Sequence, residues 1–458
     1  MPQLAARVVV AGTHSGVGKT TVATGLMAAL RGRGLRVGGA KVGPDFIDPG
    51  YHALATGRPS RNLDAWMCGL DAVAPLAGRA GDGCDVLVIE GVMGLFDGAA
   101  DGSPSSTADL AAALDAPVVL VVDASSASTS VAAVVHGFAT FDPRIRLAGV
   151  VLNRVASDSH EAMLRRAVEP LGIPVLGVLR RDPALTWRDR HLGLIPVIER
   201  QAEVARSLDR LGALIDRHCD LEAVTGIART APATAVAPPP LPGRVAGVRI
   251  AVAAGQAFSF LYPDNLEALR AAGAELIEFD PCTADRLPDG CAGLVAGGGF
   301  PEVHLDALAD NTALLADVRR QVDEGLVVWA ECGGLLWLGR TLDGRDMAGV
   351  VDIDAAMSER LTLGYRQATT LVDTPIGPAG TALRGHEYHY STVAPAGGAL
   401  ALDGRTGPSV AGFGGSRLLA SYLHLHLGAR PDLAARFVRR CHESTASGVG
   451  ALRAPYEQ

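Results

Sequence analysis

A glycine-rich loop near the N-terminus limits the folds open to this chain more than any other segment. Residues 12–21 read GTHSGVGKTT; the apolar run Arg7–Ala11 precedes them, and Val22–Leu30 follows at helical spacing. Strand, loop and helix in this order form a P-loop, in which backbone N–H groups and the helix N-terminus face phosphate oxygens. Thr13 replaces the usual first glycine, so the loop is a variant form. We expect a nucleotide phosphate site here.

The residue types of this region predict separate roles. Lys19 is expected to reach the β- and γ-phosphates and the Thr20 hydroxyl to bind Mg²⁺. The loop residues expected to contact nucleotide are Gly16, Gly18, Lys19, Thr20 and Thr21. Asn153 follows the apolar run Gly149–Leu152, and its amide could read both a donor and an acceptor on adenine. The alternative for Asn153 is a turn residue.

Apolar runs alternate with helical stretches along the whole chain. This pattern predicts α/β domains with parallel sheets, and 458 residues exceed what one core supports. The runs predicted as strands of a first domain are Arg7–Ala11, Val86–Glu90, Val118–Asp123, Leu147–Asn153 and Val175–Leu179. Those of a second domain are Arg249–Ala253, Leu276–Phe279, Gly293–Ala296 and Val327–Ala330.

A stretch rich in Ala, Thr and Pro separates the two halves. Residues 229–247 include consecutive prolines at positions 238–240 and offer few side chains to bury. We therefore predict a first domain at residues 1–228, a linker at 229–247, a second domain at 248–445 and a loosely ordered tail at 446–458.

Charge and composition exclude several kinds of partner. The formal net charge is −8 and the basic residues form no cluster, so we expect neither nucleic acid nor a membrane surface as partner. No apolar segment approaches the roughly 20 residues that span a bilayer. The seven cysteines lack CxxC spacing, and the N-terminus lacks the order of a signal peptide. We expect a cytoplasmic protein.

Acidic residues near the P-loop are candidates for metal and substrate chemistry. Glu90 ends a buried strand, where ligand crevices of parallel sheets lie, and is predicted as the second Mg²⁺ ligand. Asp45 is a further candidate for the metal, whereas Lys41, Asp48 and Asp97 are candidates for the substrate. A cap or turn role is the alternative for the acidic residues. Candidates for binding anionic ligand groups, or else solvated surface residues, are Lys41, Arg58, Arg61, Arg190 and His191.

A second site is predicted around Cys332. The apolar run Val327–Ala330 leads to Cys332 and then, through two glycines, to a helical stretch. A cysteine on a tight strand-to-helix turn is typical of a nucleophile elbow, although an incidental core cysteine is the alternative. Gly298, Gly299 and Gly333 are the candidate oxyanion donors.

Two histidines are candidates for the base of this second site. His424 and His426 follow Ser421 at strand spacing, and one of them is expected to take the proton of the cysteine. The alternative is a pair of core histidines.

The motifs together resemble the cobyrinic acid a,c-diamide synthase family, which includes the hydrogenobyrinic acid enzyme. The resemblance covers nearly the whole sequence, and the segments are specific as a set. They are the P-loop, Lys41–His52, Glu90–Gly98, Arg190–Leu194, Cys332–Gly334, Leu363–Tyr365, Gly385–Ser391 and Ser421–His424.

The resemblance implies an N-terminal domain similar to dethiobiotin synthetase and a flavodoxin-like class I glutamine amidotransferase domain. It implies Cys332 and His424 as the pair that hydrolyses glutamine. Amidotransferases of that class commonly present His-x-Glu, and this chain has His426 in place of the glutamate. The third member of the triad stays open, with Glu387 and Glu302 as guesses.

The resemblance also implies a ligase that uses ATP and Mg²⁺ to amidate the a and c carboxylates of hydrogenobyrinic or cobyrinic acid in cobalamin biosynthesis. Ammonia from glutamine would attack an acyl phosphate, near which Lys41, Asp48 and Asp97 are expected. The alternatives are diamidation of nickel-sirohydrochlorin, a partition-type regulatory ATPase, and a scaffold with an idle glutaminase domain. Such ATPases usually carry a lysine where this chain has His14. The metal state of the ring and a homodimer are left open.

Overall fold

The described residues form two compact α/β units, one on each side of residue 238. The computed structural model describes residues 3–181, 189–190, 193–194, 197–199, 201–236, 243–405 and 407–451. No helix in these ranges combines the length and the apolar character needed to cross a membrane.

The first unit is built on a seven-stranded parallel sheet. Its strands are β1 (Arg7–Gly12), β2 (Val37–Val42), β3 (Arg61–Leu63), β4 (Val86–Glu90), β5 (Val118–Asp123), β6 (Leu147–Val155) and β7 (Val175–Arg180). Their order is β3-β2-β4-β1-β5-β6-β7. The C-terminal end of β1 therefore lies between β4 and β5, in the middle of the sheet. A short antiparallel ladder joins β8 (Asp189–Arg190) to β9 (Gly193–Leu194).

Helices connect these strands, as parallel pairing requires. They are α1 (Lys19–Gly32), α2 (Asp48–Thr56), α3 (Ala65–Cys68), α4 (Leu70–Ala80), α5 (Thr107–Ala113), α6 (Ser130–Thr140), α7 (Asp158–Val168), α8 (Gln201–His218) and α9 (Leu221–Arg229), with 3-10 turns at Glu169–Leu171 and Val197–Glu199. Every residue of β1 and β4 is buried, because helices cover both faces of the sheet. The continuous apolar runs of the sequence reflect this burial.

The second unit contains two sheets. Its strands are β10 (Val248–Ala253), β11 (Ala274–Phe279), β12 (Gly293–Ala296), β13 (Val327–Glu331), β14 (Thr341–Leu342), β15 (Arg345–Asp346), β16 (Asp354–Thr370), β17 (Ala382–Ala394), β18 (Leu400–Gly404), β19 (Ser409–Ala411), β20 (Phe413–Gly415), β21 (Leu418–Ser421) and β22 (His424–Leu425). The first sheet has the order β11-β10-β12-β13-β21-β20, and all its pairs are parallel except β20 with β21. Its five parallel strands follow the flavodoxin order 2-1-3-4-5.

The second sheet is centred on a long hairpin. Strands β16 and β17 pair antiparallel, β14 and β18 flank β16, and β22 flanks β17. The helices of the unit are α10 (Pro263–Ala271), α11 (Leu305–Asp310), α12 (Thr312–Asp323), α13 (Gly333–Leu338) and α14 (Pro431–Ala451), with 3-10 turns at Pro301–His304 and Leu427–Ala429. The chain thus passes directly from one sheet to the other between β21 and β22.

The predicted fold class is confirmed in both units, with local corrections. Strand β6 continues two residues beyond Asn153, so Asn153 does not end it. The start of the predicted linker packs on the first unit, because Val236 is buried and the Leu4 N–H donates to the Thr234 carbonyl at 2.9 Å. Residues 446–451 belong to α14, and the loosely ordered tail stays a prediction.

Candidate active sites

The P-loop joins β1 to α1 as its sequence predicts. Gly16 and Gly18 have φ angles of 82° and 97°, which favour glycine over other residues. Lys19 is buried, and its Nζ donates to the His14 carbonyl at 3.1 Å across the loop. Burial, and then the charge of Lys41, lower the pKa of Lys19 to about 8. An anion in the loop would favour the charged form of this lysine.

A buried charge cluster lies beside the start of α1. Glu90 Oε1 accepts hydrogen bonds from Thr20 Oγ1 at 2.6 Å and from Lys41 Nζ at 2.8 Å, and Lys41 Nζ also donates to Asp48 Oδ2 at 2.6 Å. Glu90 Oε2 lies 2.6 Å from His52 Nε2. All four contacts therefore converge on two carboxylates.

The fold explains why these residues meet. Lys41 and Glu90 are direct partners in the register of β2 and β4, so their side chains lie on the same side of the sheet. Asp48 and His52 stand one turn apart on α2 and thus share a helix face. The sequence-predicted candidates Thr20, Lys41, Asp48 and Glu90 are brought together, and His52 joins them.

The cluster fixes the charges of its members. Burial alone would raise the pKa of Glu90, but Lys41 and His52 hold it well below its usual range. Burial opposes the charge of Lys41, yet Asp48 and Glu90 raise its pKa above the ordinary value. Burial and the neighbouring Asp45 raise the pKa of Asp48. The charged forms of Glu90 and Lys41 therefore stabilise each other.

Three other predicted residues have contacts of their own. Asn153 Nδ2 donates to the Val17 carbonyl at 2.8 Å, and its Oδ1 accepts from Arg154 N, so in this structure the amide braces the P-loop. Asp45 Oδ1 accepts from Ile47 N at 2.8 Å. Asp97 is exposed, and its Oδ2 accepts from Gly94 N at 2.8 Å. The turn role weighed for the aspartates is thus present at both positions.

The remaining basic candidates that the structure describes lie in different parts of the first unit. Arg58 Nη2 donates to the Asp82 carbonyl at 2.6 Å, and Arg61 is buried in β3. Arg190 lies in the short strand β8, whereas His191 lies outside the described residues.

Cys332 occupies the predicted elbow between β13 and α13. Its backbone has φ 49° and ψ −104°, a strained conformation for a residue with a side chain. Gly334 is required behind it, because a Cβ there would lie 2.2 Å from the Ala296 carbonyl oxygen. The elbow therefore presents Cys332 at the C-terminal edge of the parallel sheet.

The glycine loop after β12 lies against this elbow, and its candidate donors differ in their contacts. The Gly298 N–H donates to the Phe260 carbonyl at 3.1 Å and is therefore engaged. Gly299 and Gly333 donate no hydrogen bond within the described chain. A Cβ on Gly333 would come 3.2 Å from Gly299 N, so the two N–H groups are neighbours.

Of the two candidate histidines, His424 is the one that contacts Cys332. Its ring hydrogen-bonds the Cys332 side chain, and its Nδ1 lies 3.3 Å from Glu331 Oε2. Gly298 leaves room for the ring, since a Cβ at that position would lie 2.6 Å from His424 Cε1. Burial would lower the pKa of His424, but the hydrogen bonds to Cys332 and Glu331 raise it to about 10. These two hydrogen bonds therefore favour the imidazolium form of His424.

His426 has different neighbours. Its ring lies 4.7 Å from that of Tyr262, its Nδ1 accepts from Gly428 N at 3.2 Å, and its Nε2 is 3.8 Å from Asp264 Oδ2. These contacts connect the end of β22 to the start of α10.

Several polar and aromatic side chains on and beside the second sheet lie near the elbow, and the sequence motifs gave them no role. Glu387 Oε2 and Arg366 Nε form a buried ion pair at 2.8 Å. The rings of His389 and Tyr422 stack at 3.6 Å between centroids, and His386 stacks on His424 at 4.9 Å. Glu387, His389 and Tyr422 line a cavity of about 200 Å³ next to the elbow helix.

Sequence comparison agrees with the two sites. Residues 8–195 match the CobQ/CobB/MinD/ParA nucleotide binding domain, and residues 249–432 match the CobB/CobQ-like glutamine amidotransferase domain. A relative from Streptomyces coelicolor named hydrogenobyrinate a,c-diamide synthase is 50% identical over 96% of this chain and 98% of its own.

Two further relatives extend this comparison. The protein of the same name from Thermobifida fusca is 47% identical over 94% of this chain and 96% of its own. A cyanobacterial relative from Synechococcus, named cobyrinate a,c-diamide synthase, is 41% identical over 96% of this chain and 99% of its own. The chain therefore belongs to the family of hydrogenobyrinate and cobyrinate a,c-diamide synthases, enzymes with a nucleotide-binding domain and a glutamine amidotransferase domain.

Proposed function

We propose that this protein uses ATP and glutamine to convert the a and c carboxylates of hydrogenobyrinic acid to carboxamides in cobalamin biosynthesis. The observation that carries the proposal is the presence in one chain of a P-loop beside the Lys41–Glu90 cluster and of a Cys332–His424 pair on an elbow. The first arrangement suits activation of a carboxylate and the second suits release of ammonia. The relatives at 50% and 47% identity carry the hydrogenobyrinate name, and that at 41% the cobyrinate name.

In the ligase half-reaction, a substrate carboxylate oxygen attacks the γ-phosphorus of ATP and ADP leaves. The product is an acyl phosphate, whose carbonyl carbon ammonia then attacks while inorganic phosphate leaves. Lys19 would bind the transferring phosphoryl group, and the N–H groups of Gly16 and Gly18 would bind phosphate oxygens. The roles of Asp48 and Asp97 near the substrate, and of Asn153 at adenine, remain predictions.

The first site also fits Mg²⁺. Thr20 Oγ1 and Glu90 Oε1 are 2.6 Å apart and are hard oxygen donors of the kind this ion prefers. The described residues contain no group of three or more His, Cys, Asp or Glu side chains that would hold a metal by themselves. Thr20 and Glu90 would thus hold the ion together with phosphate oxygens, as is usual for Mg²⁺ at nucleotide sites, and Asp45 remains a further candidate. The ion would neutralise phosphate charge.

In the glutaminase half-reaction, the Cys332 thiolate attacks the side-chain amide carbon of glutamine. The N–H groups of Gly299 and Gly333 stabilise the oxyanion, and the His424 imidazolium gives its proton to the departing ammonia. The resulting thioester is hydrolysed by water, which releases glutamate and restores the thiol. Ammonia is then available to the acyl phosphate.

The test is amidation of the two corrinoid acids by the purified protein. The protein is incubated with MgATP, glutamine and either hydrogenobyrinic or cobyrinic acid, and products are identified by mass spectrometry. We expect two amidations of one ring. In Cys332→Ala, amidation should be lost with glutamine and restored by ammonium, because only ammonia release needs the thiolate.

Other outcomes would redirect or overturn the proposal. Glutamine hydrolysis without amidation of either ring would leave the amidotransferase and make nickel-sirohydrochlorin the next acceptor. Equal, negligible glutamate release by wild type and Cys332→Ala would instead point to an idle scaffold.

The proposal includes a cytoplasmic location. All seven cysteines are free thiols, which suits a reducing compartment. A homodimer stays a prediction, for which light scattering of the purified protein is the measurement.

A further inference from the structure

Glu331 is the acidic residue at the nucleophile that the sequence motifs leave without a role. It is the last residue of β13 and directly precedes Cys332. Its Oε2 lies 3.3 Å from His424 Nδ1, and its Oε1 accepts a hydrogen bond from Leu425 N at 3.0 Å. The exposed fraction is 3% for Glu331 and 1% for His424. The carboxylate therefore contacts the base through one oxygen and the backbone beside the base through the other.

We propose that Glu331 is the positioning residue of the glutaminase site, which holds His424 in the tautomer and orientation needed to serve Cys332. The inference rests on the proposed function and adds the third member of its triad. This member lies at the end of β13, directly before Cys332, and not at position 426, two residues after His424.

The contact with Glu331 determines which tautomer a neutral His424 ring adopts. A carboxylate only accepts, so the nitrogen facing Glu331 must carry a proton. The other ring nitrogen, Nε2, is then the one that remains for the Cys332 thiol. A neutral His424 can accept the thiol proton there, and the resulting imidazolium is stabilised by the buried negative charge at Nδ1. This division of roles is that of the acid in a nucleophile–histidine–acid triad.

The raised pKa of His424 agrees with this geometry. Burial disfavours the imidazolium, whereas the hydrogen bonds to Cys332 and Glu331 bring the pKa to about 10. Glu331 would be costly to bury without partners, and its two oxygens are satisfied by the segment that carries the base. Glu331 thus stabilises the charged form of His424.

The other acidic candidate on the second sheet is engaged elsewhere. Glu387 Oε2 pairs with Arg366 Nε at 2.8 Å, and both side chains are buried. Its carboxylate charge is therefore compensated by a guanidinium. Glu331 is the carboxylate whose oxygen approaches Nδ1 of the base.

The decisive variant is Glu331→Gln, which keeps shape but replaces one acceptor by a donor. If the amide oxygen accepts from Leu425 N, the NH₂ group faces His424 Nδ1, so the proton of a neutral ring moves to Nε2. That ring cannot take a proton from Cys332. We expect the glutaminase kcat to fall about 10²–10⁴-fold, the range that general acid–base catalysis contributes, because the histidine is held in the wrong tautomer. Amidation with ammonium should be kept.

Two further variants serve as comparisons for Glu331→Gln. Glu331→Asp keeps a carboxylate on a shorter stem and should lose less kcat than Glu331→Gln. Glu278→Gln makes the same chemical change at an exposed position of β11 and should match wild type. A Glu331→Gln enzyme with wild-type kcat, or a Glu331→Asp enzyme no better than Glu331→Gln, would overturn the inference.

A second readout does not depend on turnover. The rate at which a chloroketone analogue of glutamine alkylates Cys332 follows the thiolate, so its pH profile reports the thiolate–imidazolium pair. In Glu331→Gln the rise of this rate with pH should lie at higher pH than in wild type, because the variant lacks the carboxylate that stabilises the imidazolium of His424. An unchanged profile in a folded variant would overturn the positioning role while the proposed function stands. Absence of glutaminase activity in wild type would remove both.

Discussion

His389 shows at the residue scale how the fold keeps a histidine neutral. Its Nδ1 lies 2.9 Å from the Ser391 carbonyl and its ring stacks on Tyr422. Burial is the main cause that lowers the pKa of His389, to about 4, well below the ordinary 6.5. Because the folded state disfavours the charged form, His389 stabilises the fold above the unfolded pKa, and this contribution is lost as pH falls through about 4.

His389→Gln should therefore flatten the acid side of the stability profile. Between pH 6.5 and 4, the wild-type unfolding free energy should fall by about 3 kcal/mol more than that of the variant, since each pKa unit is worth about 1.4 kcal/mol. Urea titrations at several pH values, followed by circular dichroism, measure the slope. His136→Gln, at an exposed position of α6, is the matched control and should keep the wild-type slope. Parallel slopes for wild type and His389→Gln would contradict the assignment.

At the scale of elements, α2 covers the charge cluster of the first unit. One turn of this helix carries Asp48 to Lys41 and the next carries His52 to Glu90. His52 and Glu90 have no exposed side-chain surface, and their contact is 2.6 Å. Helix α2 is thus fastened to β2 and β4 by polar contacts in an otherwise apolar interior.

His52→Ala should loosen this contact. The change leaves Glu90 Oε2 without its 2.6 Å partner and opens a cavity, so we expect a loss of about 2–4 kcal/mol in the unfolding free energy. His52→Gln, whose amide can reach a similar point, should lose less. Chemical denaturation of the full chain checks both. The exposed His136→Ala should stay within about 0.5 kcal/mol, and an equally small effect at His52 would show that the contact is dispensable.

The elements that sequence analysis found and missed differ in their surroundings. Strands such as β4 and β5 are covered on both faces and read as unbroken apolar runs, so their bounds are predicted as observed. The β16–β17 hairpin was missed because exposed and buried residues mix along it, including a buried Arg366–Glu387 pair. Such strands have no apolar run to identify them.

The same distinction applies to the two sites. The P-loop and the elbow were predictable because glycine spacing records the backbone requirement itself. Glu331 and His52 were missed because their partners lie 93 and 38 residues away along the chain, and neither spacing repeats a known motif. The register of β2 with β4 and the turn of α2 could have suggested His52. Nothing local to Glu331 distinguishes it from a strand residue.

At the scale of the whole molecule, the hydrophobic clusters respect the division into two units. One cluster draws its residues from positions 4–236, and two others draw theirs from positions 245–441. None of these clusters mixes residues from the two sides. A core that needs no residue from the other unit is the condition for independent folding.

Residues 243–458 should therefore fold when expressed alone. We expect a cooperative thermal transition and a near-UV circular dichroism spectrum that reports fixed aromatic packing, such as that between Trp329 and Phe437. The complementary piece, residues 1–242, is the parallel test for the first unit. Non-cooperative melting of either piece, in contrast to the full chain, would mean that its core needs the other unit.

Because Glu331 lies next to Cys332, the chain needs no acidic residue at position 426. When the acid and the nucleophile occupy consecutive residues, insertions elsewhere in the chain cannot separate them, because Glu331 ends β13 and Cys332 follows it directly on the elbow. Position 426, two residues after the base, then needs no catalytic side chain. His426 can then serve the join between β22 and α10, through Tyr262, Asp264 and Gly428. In a His-x-Glu arrangement catalysis would require a glutamate at this position. Here the position can carry a side chain that serves packing alone.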